Sequence, residues 1–249
     1  MSAYGSLKEE AWAANAEIPA RGLALYTWGN VSAYDPSRAV FAIKPSGVPY
    51  PELSPDAMVV MDLDGKVVEG KLRPSSDEPT HRVLYREFAA GGNASLRGII
   101  HTHSAYAVAW AQACRSIPLF GTTHADHAHT HVPCTPYLSR EEVERDYEAE
   151  TGRRIVSVFR SGLAGTADRV GGGDPLNPDE TQMVLVGGHG PFAWGTTAAK
   201  AVYNGVVLEE ISRMALLTLQ LNPNASPLPD YIVEKHYSRK HGPKAYYGQ

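Results

Sequence analysis

Short apolar runs, each bounded by Gly, Pro, Asn or Asp, organise the first hundred residues as strands. Val31-Ser32-Ala33-Tyr34 and Ala39-Val40-Phe41-Ala42-Ile43 flank the turn Asp35-Pro36-Ser37-Arg38 and predict an antiparallel hairpin. Met58-Val59-Val60-Met61-Asp62 and Lys66-Val67-Val68-Glu69 flank Asp64-Gly65 and predict a second. Ahead of both, residues 7–17 carry a helical pattern that Pro19 helps to stop. Beyond them the period lengthens. Residues 77–88 predict a helix, 98–103 a buried strand and 104–113 another helix. Ser139 and Glu142 form a capping-box pattern, so a helix is expected to run towards Glu150. Residues 162–179 are rich in Gly, Pro and Asp, lack a period and predict an exposed loop. A strand at Met183-Val184-Leu185-Val186 follows. Residues 196–221 then carry the longest helical pattern, closed by Asn222-Pro223. Early hairpins followed by strand and helix alternation imply an α/β fold, a mostly antiparallel sheet with helices packed on it.

Composition narrows the function classes. The 249 residues, 43% of them hydrophobic, are read as one domain, 1–249, with ample material for a core. A formal charge of −4 argues against nucleic-acid binding, which needs a clustered positive field; the only dense basic segment is residues 235–244. Cys114 and Cys134 form neither a metal-type pair nor a disulfide framework, so a reducing cytoplasm is expected. Lys8, Glu9, Glu10 and Glu17 make the start of the chain unlike a signal peptide, and no segment is apolar for long enough to span a membrane.

The candidate chemistry begins with His101-Thr102-His103, at the end of an apolar strand. Alternate strand residues share a face, so both imidazoles can reach one metal ion. For that pair alone, two solvated or hydrogen-bonded histidines is the stronger reading. Asp77, at an expected helix start after Pro74-Ser75-Ser76, and His189, after another apolar strand, sit at similar junctions, and three histidines with one aspartate suit a zinc-type ion. Trp28-Gly29-Asn30, Lys44-Pro45-Ser46-Gly47 and Ser75-Ser76 are turns whose backbone N–H groups can face an anion, with Lys44 adding a positive charge. Singly each is an ordinary turn; beside a metal site they point to a small phosphorylated substrate. Gly171-Gly172-Gly173-Asp174-Pro175 lacks the Gly-Lys-Ser/Thr ending of a phosphate loop and is read as solvated.

Taken in order, several motifs resemble the L-ribulose-5-phosphate 4-epimerase family of the class II aldolase/epimerase superfamily. They are Thr27-Trp28-Gly29-Asn30-Val31-Ser32, Ile43-Lys44-Pro45-Ser46-Gly47-Val48, Pro74-Ser75-Ser76-Asp77, His101-Thr102-His103-Ser104, Gly121-Thr122-Thr123-His124-Ala125-Asp126 and His189-Gly190-Pro191-Phe192-Ala193-Trp194-Gly195. The C-terminal Lys235-His236-Tyr237 through Tyr246-Tyr247-Gly248-Gln249 matches as well, so the resemblance covers nearly the whole chain. It implies a three-layer α/β/α sandwich and a divalent metal, usually zinc but with manganese, cobalt or nickel also accepted, on Asp77, His101, His103 and His189. Gly29, Asn30, Lys44, Ser46, Gly47, Ser75 and Ser76 would line the substrate and its phosphate, and Asp126 and Tyr247 would be the acid/base pair. It further implies a cytoplasmic four-fold homotetramer in pentose catabolism, arabinose included, with His236 and Tyr247 of the tail, about 222–249, acting in a neighbour's site. Asp126 falls among His124, His127, His129 and His131, a cluster that composition alone nominates for metal; surface or hydrogen-bonded histidines are the reading here. His81 and His241 are read as packing or surface residues.

The chemistry supports that assignment independently. In a 2-ketopentose 5-phosphate, C4 lies β to the carbonyl and its hydrogen is not acidified, whereas the C3–C4 bond can break by retro-aldol cleavage. Rotation of the aldehyde and re-formation of the bond inverts C4, which needs two proton-transfer groups on opposite faces of the aldehyde. The competing readings are a class II aldolase that cleaves a deoxyketose 1-phosphate, and a non-catalytic, metal-stabilised sugar-phosphate-binding protein. Asp77 disfavours the aldolase, since related aldolases generally carry glutamate after Ser-Ser. Asp126 with Tyr247 disfavours the binding protein. The loop at 162–179 is longer than the family pattern, and Gly187-Gly188 precedes His189 where a histidine can occur.

Overall fold

Both expected hairpins form, and they set the plane on which everything else packs. In the computed structural model, which describes residues 2–90, 95–241, 245 and 246, β1 (Asn30–Asp35) pairs antiparallel with β2 (Val40–Ile43), and β3 (Val59–Asp62) with β4 (Val67–Glu69). β5 (Gly98–His101), β6 (Met183–Val186) and β7 (Gly190–Gly195) complete a seven-stranded sheet in the order β4-β3-β2-β1-β5-β7-β6, every pairing antiparallel. Residues alternate between its faces. Val31, Ala33 and Ile100 pack with α1 (Gly5–Ala20), α3 (Ala105–Gln112) and α6 (Ala198–Leu221); Tyr34, Ile99 and Phe192 pack with α2 (Glu78–Leu84) and α5 (Arg140–Ser161). The three-layer α/β/α sandwich expected from the sequence is therefore present.

Several boundaries differ from the sequence reading for identifiable reasons. Pro19 lies inside α1 rather than after it, in the last turn, where its ring removes only one helical hydrogen bond from an element already ending. The expected 77–88 helix is α-helical only to Leu84 and widens into a π-helical segment, Tyr85–Ala90. Strand β5 stops at His101, so His103 stands beyond the sheet in the link to α3. Gly98 starts that strand because a Cβ there would lie 2.5 Å from the Ala198 Cα; only glycine lets β5 lie against the start of α6.

The capping box at Ser139 is real: the Glu142 N–H donates to Ser139 Oγ and the Ser139 N–H to Glu142 Oε2. Helix α5 then runs on to Ser161, well past Glu150, with a break at Asp146 (φ −174°, ψ 89°) whose Oδ1 accepts from the Ala149 N–H and restarts the helix. The 162–179 loop is exposed at Gly171, Gly172 and Gly173 but docked elsewhere, where Asp168 accepts from the Ser116 N–H and hydroxyl and Trp194 Nε1 donates to the Pro178 carbonyl. Two helices have no counterpart in the sequence reading, the short α4 (Thr122–Ala125) and α7 (Asp230–Lys240). No helix among the described residues is long and apolar enough to cross a membrane.

Candidate metal centre and substrate cavity

Three histidines meet at one end of the central strands. His101 ends β5, opposite Asn30 on β1 and Phe192 on β7. Its Nδ1 lies 2.9 Å from the Pro191 carbonyl, which can only accept, so Nδ1 carries the proton and Nε2 presents a lone pair. That Nε2 is buried and has no partner among the described residues, as is true of His189 Nδ1 in the β6 to β7 turn. His103 completes the group. The ligand atoms of His101, His103 and His189 all lie within 4.8 Å of one another. Phe192 stacks on His101 at 4.3 Å and fixes the ring plane. Burial pushes His189 down to about 3 and lowers His103, so these rings are neutral, the form a metal requires. The buried, unpartnered Nε2 of His101 and Nδ1 of His189, converging with the exposed His103, fit a divalent metal, since each of the two would otherwise cost on the order of 1–3 kcal/mol.

Asp77 sits at the start of α2 in the same cavity. Its Oδ2 accepts from Asn30 Nδ2 at 2.7 Å, and the same Asn30 amide reaches Ser75 Oγ at 3.0 Å. Burial works to raise the Asp77 carboxyl, but its polar surroundings, the Asn30 hydrogen bond among them, hold the group below its ordinary value.

The anion-type turns close around these side chains. The cavity, 610 Å³ in volume, is lined by Gly29, Asn30, Lys44, Ser46, Gly47 and Ser75, together with Ser76, Asp77 and the three histidines. Lys44 is almost fully buried, donates to the Thr27 carbonyl at 3.2 Å and lies over the Tyr50 ring; burial lowers its pKa. Tyr50 in turn donates to the Trp28 carbonyl at 2.6 Å and pins the turn. Gly29 has φ +77°, and a Cβ there would lie 2.9 Å from the His101 carbonyl, so the loop touches β5 only because it carries glycine.

Every sequence-nominated metal residue, and every nominated substrate residue except His236, lines this cavity. The proton-transfer candidates do not. Asp126 ends α4 and is held by α7 of its own chain: Arg239 donates to it through Nε at 3.0 Å and Nη2 at 2.7 Å, and His236 through Nδ1 at 3.1 Å. Burial works to raise Asp126, but these donors lower it overall. Tyr247 lies outside the described residues. His124, His127, His129 and His131 do not converge: His127 faces Tyr203, His129 faces Glu180 and Tyr237, and His131 accepts from the Leu119 N–H. The sequence reading missed Tyr147 and Glu148, which enter the cavity from the restart of α5; in sequence they are part of a charged helical run with no distinguishing signal.

A histidine triad on an antiparallel α/β/α sheet, ringed by glycine and serine turns, is the architecture of a metal-assisted sugar-phosphate enzyme. Residues 9–216 match the family model described as "Class II Aldolase and Adducin N-terminal domain". The chain belongs to the class II aldolase family. Among its relatives, the protein named L-ribulose-5-phosphate 4-epimerase UlaF from Salmonella paratyphi A is 49% identical over 98% of this chain and 98% of its own. The protein of that name from Salmonella typhi is equally similar over the same shares. Solved structures share the fold: an L-fuculose 1-phosphate aldolase aligns with TM-score 0.73 at 22% identity over 96% of this chain and 97% of that one.

Proposed function

We propose that this protein interconverts L-ribulose 5-phosphate and D-xylulose 5-phosphate by inversion at C4, with a divalent metal, zinc first among the candidates, on His101, His103, His189 and Asp77. The observation that carries the reading is full-length similarity, 49% over 98% of both chains, to proteins named for that reaction. The orphaned histidine nitrogens support the metal. A bound divalent cation would supply Lewis acidity toward the adjacent oxygens of the sugar.

The remaining work belongs to the chain. Lys44 brings a desolvated positive charge, and Gly29, Asn30, Ser46, Gly47, Ser75 and Ser76 provide short donors around the phosphate and sugar. A base removes the C4 hydroxyl proton, the C3–C4 bond breaks and its electron pair passes to the C2 carbonyl as an enediolate. Glycolaldehyde phosphate rotates, the enediolate attacks its other face, and an acid protonates the new alkoxide. Asp126 and Tyr247 are assigned to these two transfers. Asp126, His236 and Arg239 lie together outside their own chain's cavity. That separation favours a four-fold homotetramer in which the Asp126 cluster and the tail of one subunit serve the metal of the next.

The test is incubation of metal-loaded protein with L-ribulose 5-phosphate and resolution of the products. Accumulating D-xylulose 5-phosphate is the expected result. Free glycolaldehyde phosphate as the main product would make the protein an aldolase, and no conversion would reject both activities.

A further inference from the structure

The face formed by α2 and α5 carries two adjoining hollows that the proposed reaction leaves unused. The helices meet closely where Gly152 on α5 faces Val83 on α2, since a Cβ at Gly152 would lie 2.8 Å from the Val83 Cβ. Beside that contact a hollow of 400 Å³ opens over the buried apolar residues Val83, Ala149 and Val156. Both helices bring arginines to it. Arg82 and Arg86, four residues apart, come from α2 and its π-helical extension, and Arg153 and Arg160, seven apart, from α5. All four cations are arginine, whose planar fork matches the oxygens of a phosphate two at a time.

The carboxylates nearby do not use up this charge. Only Glu87 and Asp146 share the lining, and Asp146 Oδ1 accepts from the Ala149 N–H. Arg82 pairs with Glu78 at 2.9 Å, Arg153 with Glu150 at 2.5 Å and Arg160 with Glu87 at 2.6 Å. Arg86 has no ion pair among the described residues; its Nη1 donates to the Leu63 carbonyl at 3.2 Å. The Arg153 and Arg160 side chains are 55% and 71% exposed, and pairs so exposed are weak, so an incoming anion can recruit both.

The second hollow, of 410 Å³, adjoins the first through Glu87, Val156 and Arg160, which line both. Its character is different. Phe88 and Phe159 line it together with Pro175, Leu176 and Pro178 of the 162–179 loop. That loop is held in place there: the Leu176 N–H donates to the Phe159 carbonyl at 2.7 Å and Trp194 Nε1 to the Pro178 carbonyl at 2.8 Å. No residue of the loop lines the metal cavity.

We propose that the two hollows form a binding site for a small organic phosphate ester, its phosphate among the arginines of the first and its ring or hydrocarbon body against the apolar side chains of the second. An inorganic ion would use the arginines alone. The docked part of the 162–179 loop thereby acquires a role, and the site stands independently of the metal and of the reaction.

The test uses metal-loaded protein and phenyl phosphate, which has both parts and is mostly dianionic above about pH 7. Because Lys44 also offers a phosphate a place in the metal cavity, the readout is resolved by residue: phenylglyoxal modification of arginines, mapped by peptide mass spectrometry. At about ten times its half-protecting concentration, phenyl phosphate should slow modification of Arg86 and Arg160 about 10-fold, by mass action. Arg21, 59% exposed on α1 across the sheet, should react at an unchanged rate. In Arg86→Gln protein the concentration that half-protects Arg160 should rise at least about 10-fold. Failure to protect Arg86 and Arg160 in the wild type, or an unchanged half-protecting concentration in the variant, overturns the site. Inorganic phosphate protecting as well as phenyl phosphate overturns the assignment to an ester.

Discussion

At the scale of single residues the site depends on atoms that are missing as much as on those present. Gly29 has a left-handed φ and stands 2.9 Å, at its virtual Cβ, from the His101 carbonyl. Gly29→Ala therefore strains its own loop and pushes on the strand that carries His101, a candidate ligand. A loss of about 1–3 kcal/mol in urea denaturation is expected, with weaker metal retention on dialysis; wild-type metal retention would show that the loop and strand are not mechanically joined. Asp126→Asn keeps the shape of the carboxylate but not its proton chemistry. It is expected to lower kcat at least about 100-fold while metal content stays stoichiometric by elemental analysis, and full activity would remove Asp126 from the mechanism. The convergence of the candidate ligands was legible in sequence because each histidine ends or follows an apolar strand. Tyr147 and Glu148 were not, since a helix start inside a run of Arg and Glu reads as a solvated face. His81 reads as packing or surface, because sequence cannot tell a filler from a buried, hydrogen-bonded ring.

At the scale of elements, the sheet was the most legible part and the helices the least. Alternation with turn residues specifies a strand locally, so both hairpins were placed nearly to the residue. Helix α7 was missed because its face is mostly polar: only Val233 is buried, and its docking runs through Arg239 and His236 onto Asp126. Such a helix is ordered by charge and tertiary contact, which periodicity does not register. The break at Asp146 was invisible for the converse reason, that residues on both sides favour helix. The close approach of β5 and α6 gives the sharpest prediction here. Gly98→Ala places a methyl 2.5 Å from backbone, which cannot rotate away, so the two elements must separate. Unfolding free energy should fall by about 2 kcal/mol or more; a smaller change would mean that α6 can slide on the sheet.

At the scale of the whole molecule, buried neutral histidines tie stability to pH. Burial pushes His81 and His124 down to about 3. Between the ordinary value near 6.5 and that folded value, the unfolded chain binds protons that the native state refuses. The contribution is complete above about pH 6.5 and is lost as pH falls through the window, at up to about 1.4 kcal/mol per pH unit for each ring. Chelator-treated protein should lose roughly 3 kcal/mol between about pH 7.5 and 5.5 in urea titrations, whereas a flat profile would mean that the rings gain protons inside the fold. The separation of Asp126 from the metal cavity makes a second prediction at this scale. Mixing inactive His103→Ala and Asp126→Asn variants after dissociation should restore part of the activity if, as proposed, the assembly pairs the Asp126 cluster of one subunit with the metal site of the next. No recovery in a verified hybrid would confine each site to one chain.

The hydrogen bond from His101 to Pro191 spans ninety residues of sequence, and the strands that carry them are neighbours in the sheet. The candidate metal centre is thus among the most non-local constructions in the chain, and closing so long a loop precedes any gain from it. The triad has no existence in a partly folded chain. Zinc added to a refolding reaction should slow the unfolding arm of the chevron and leave the folding arm unchanged, making the ion a lock on the finished protein rather than a guide to its assembly.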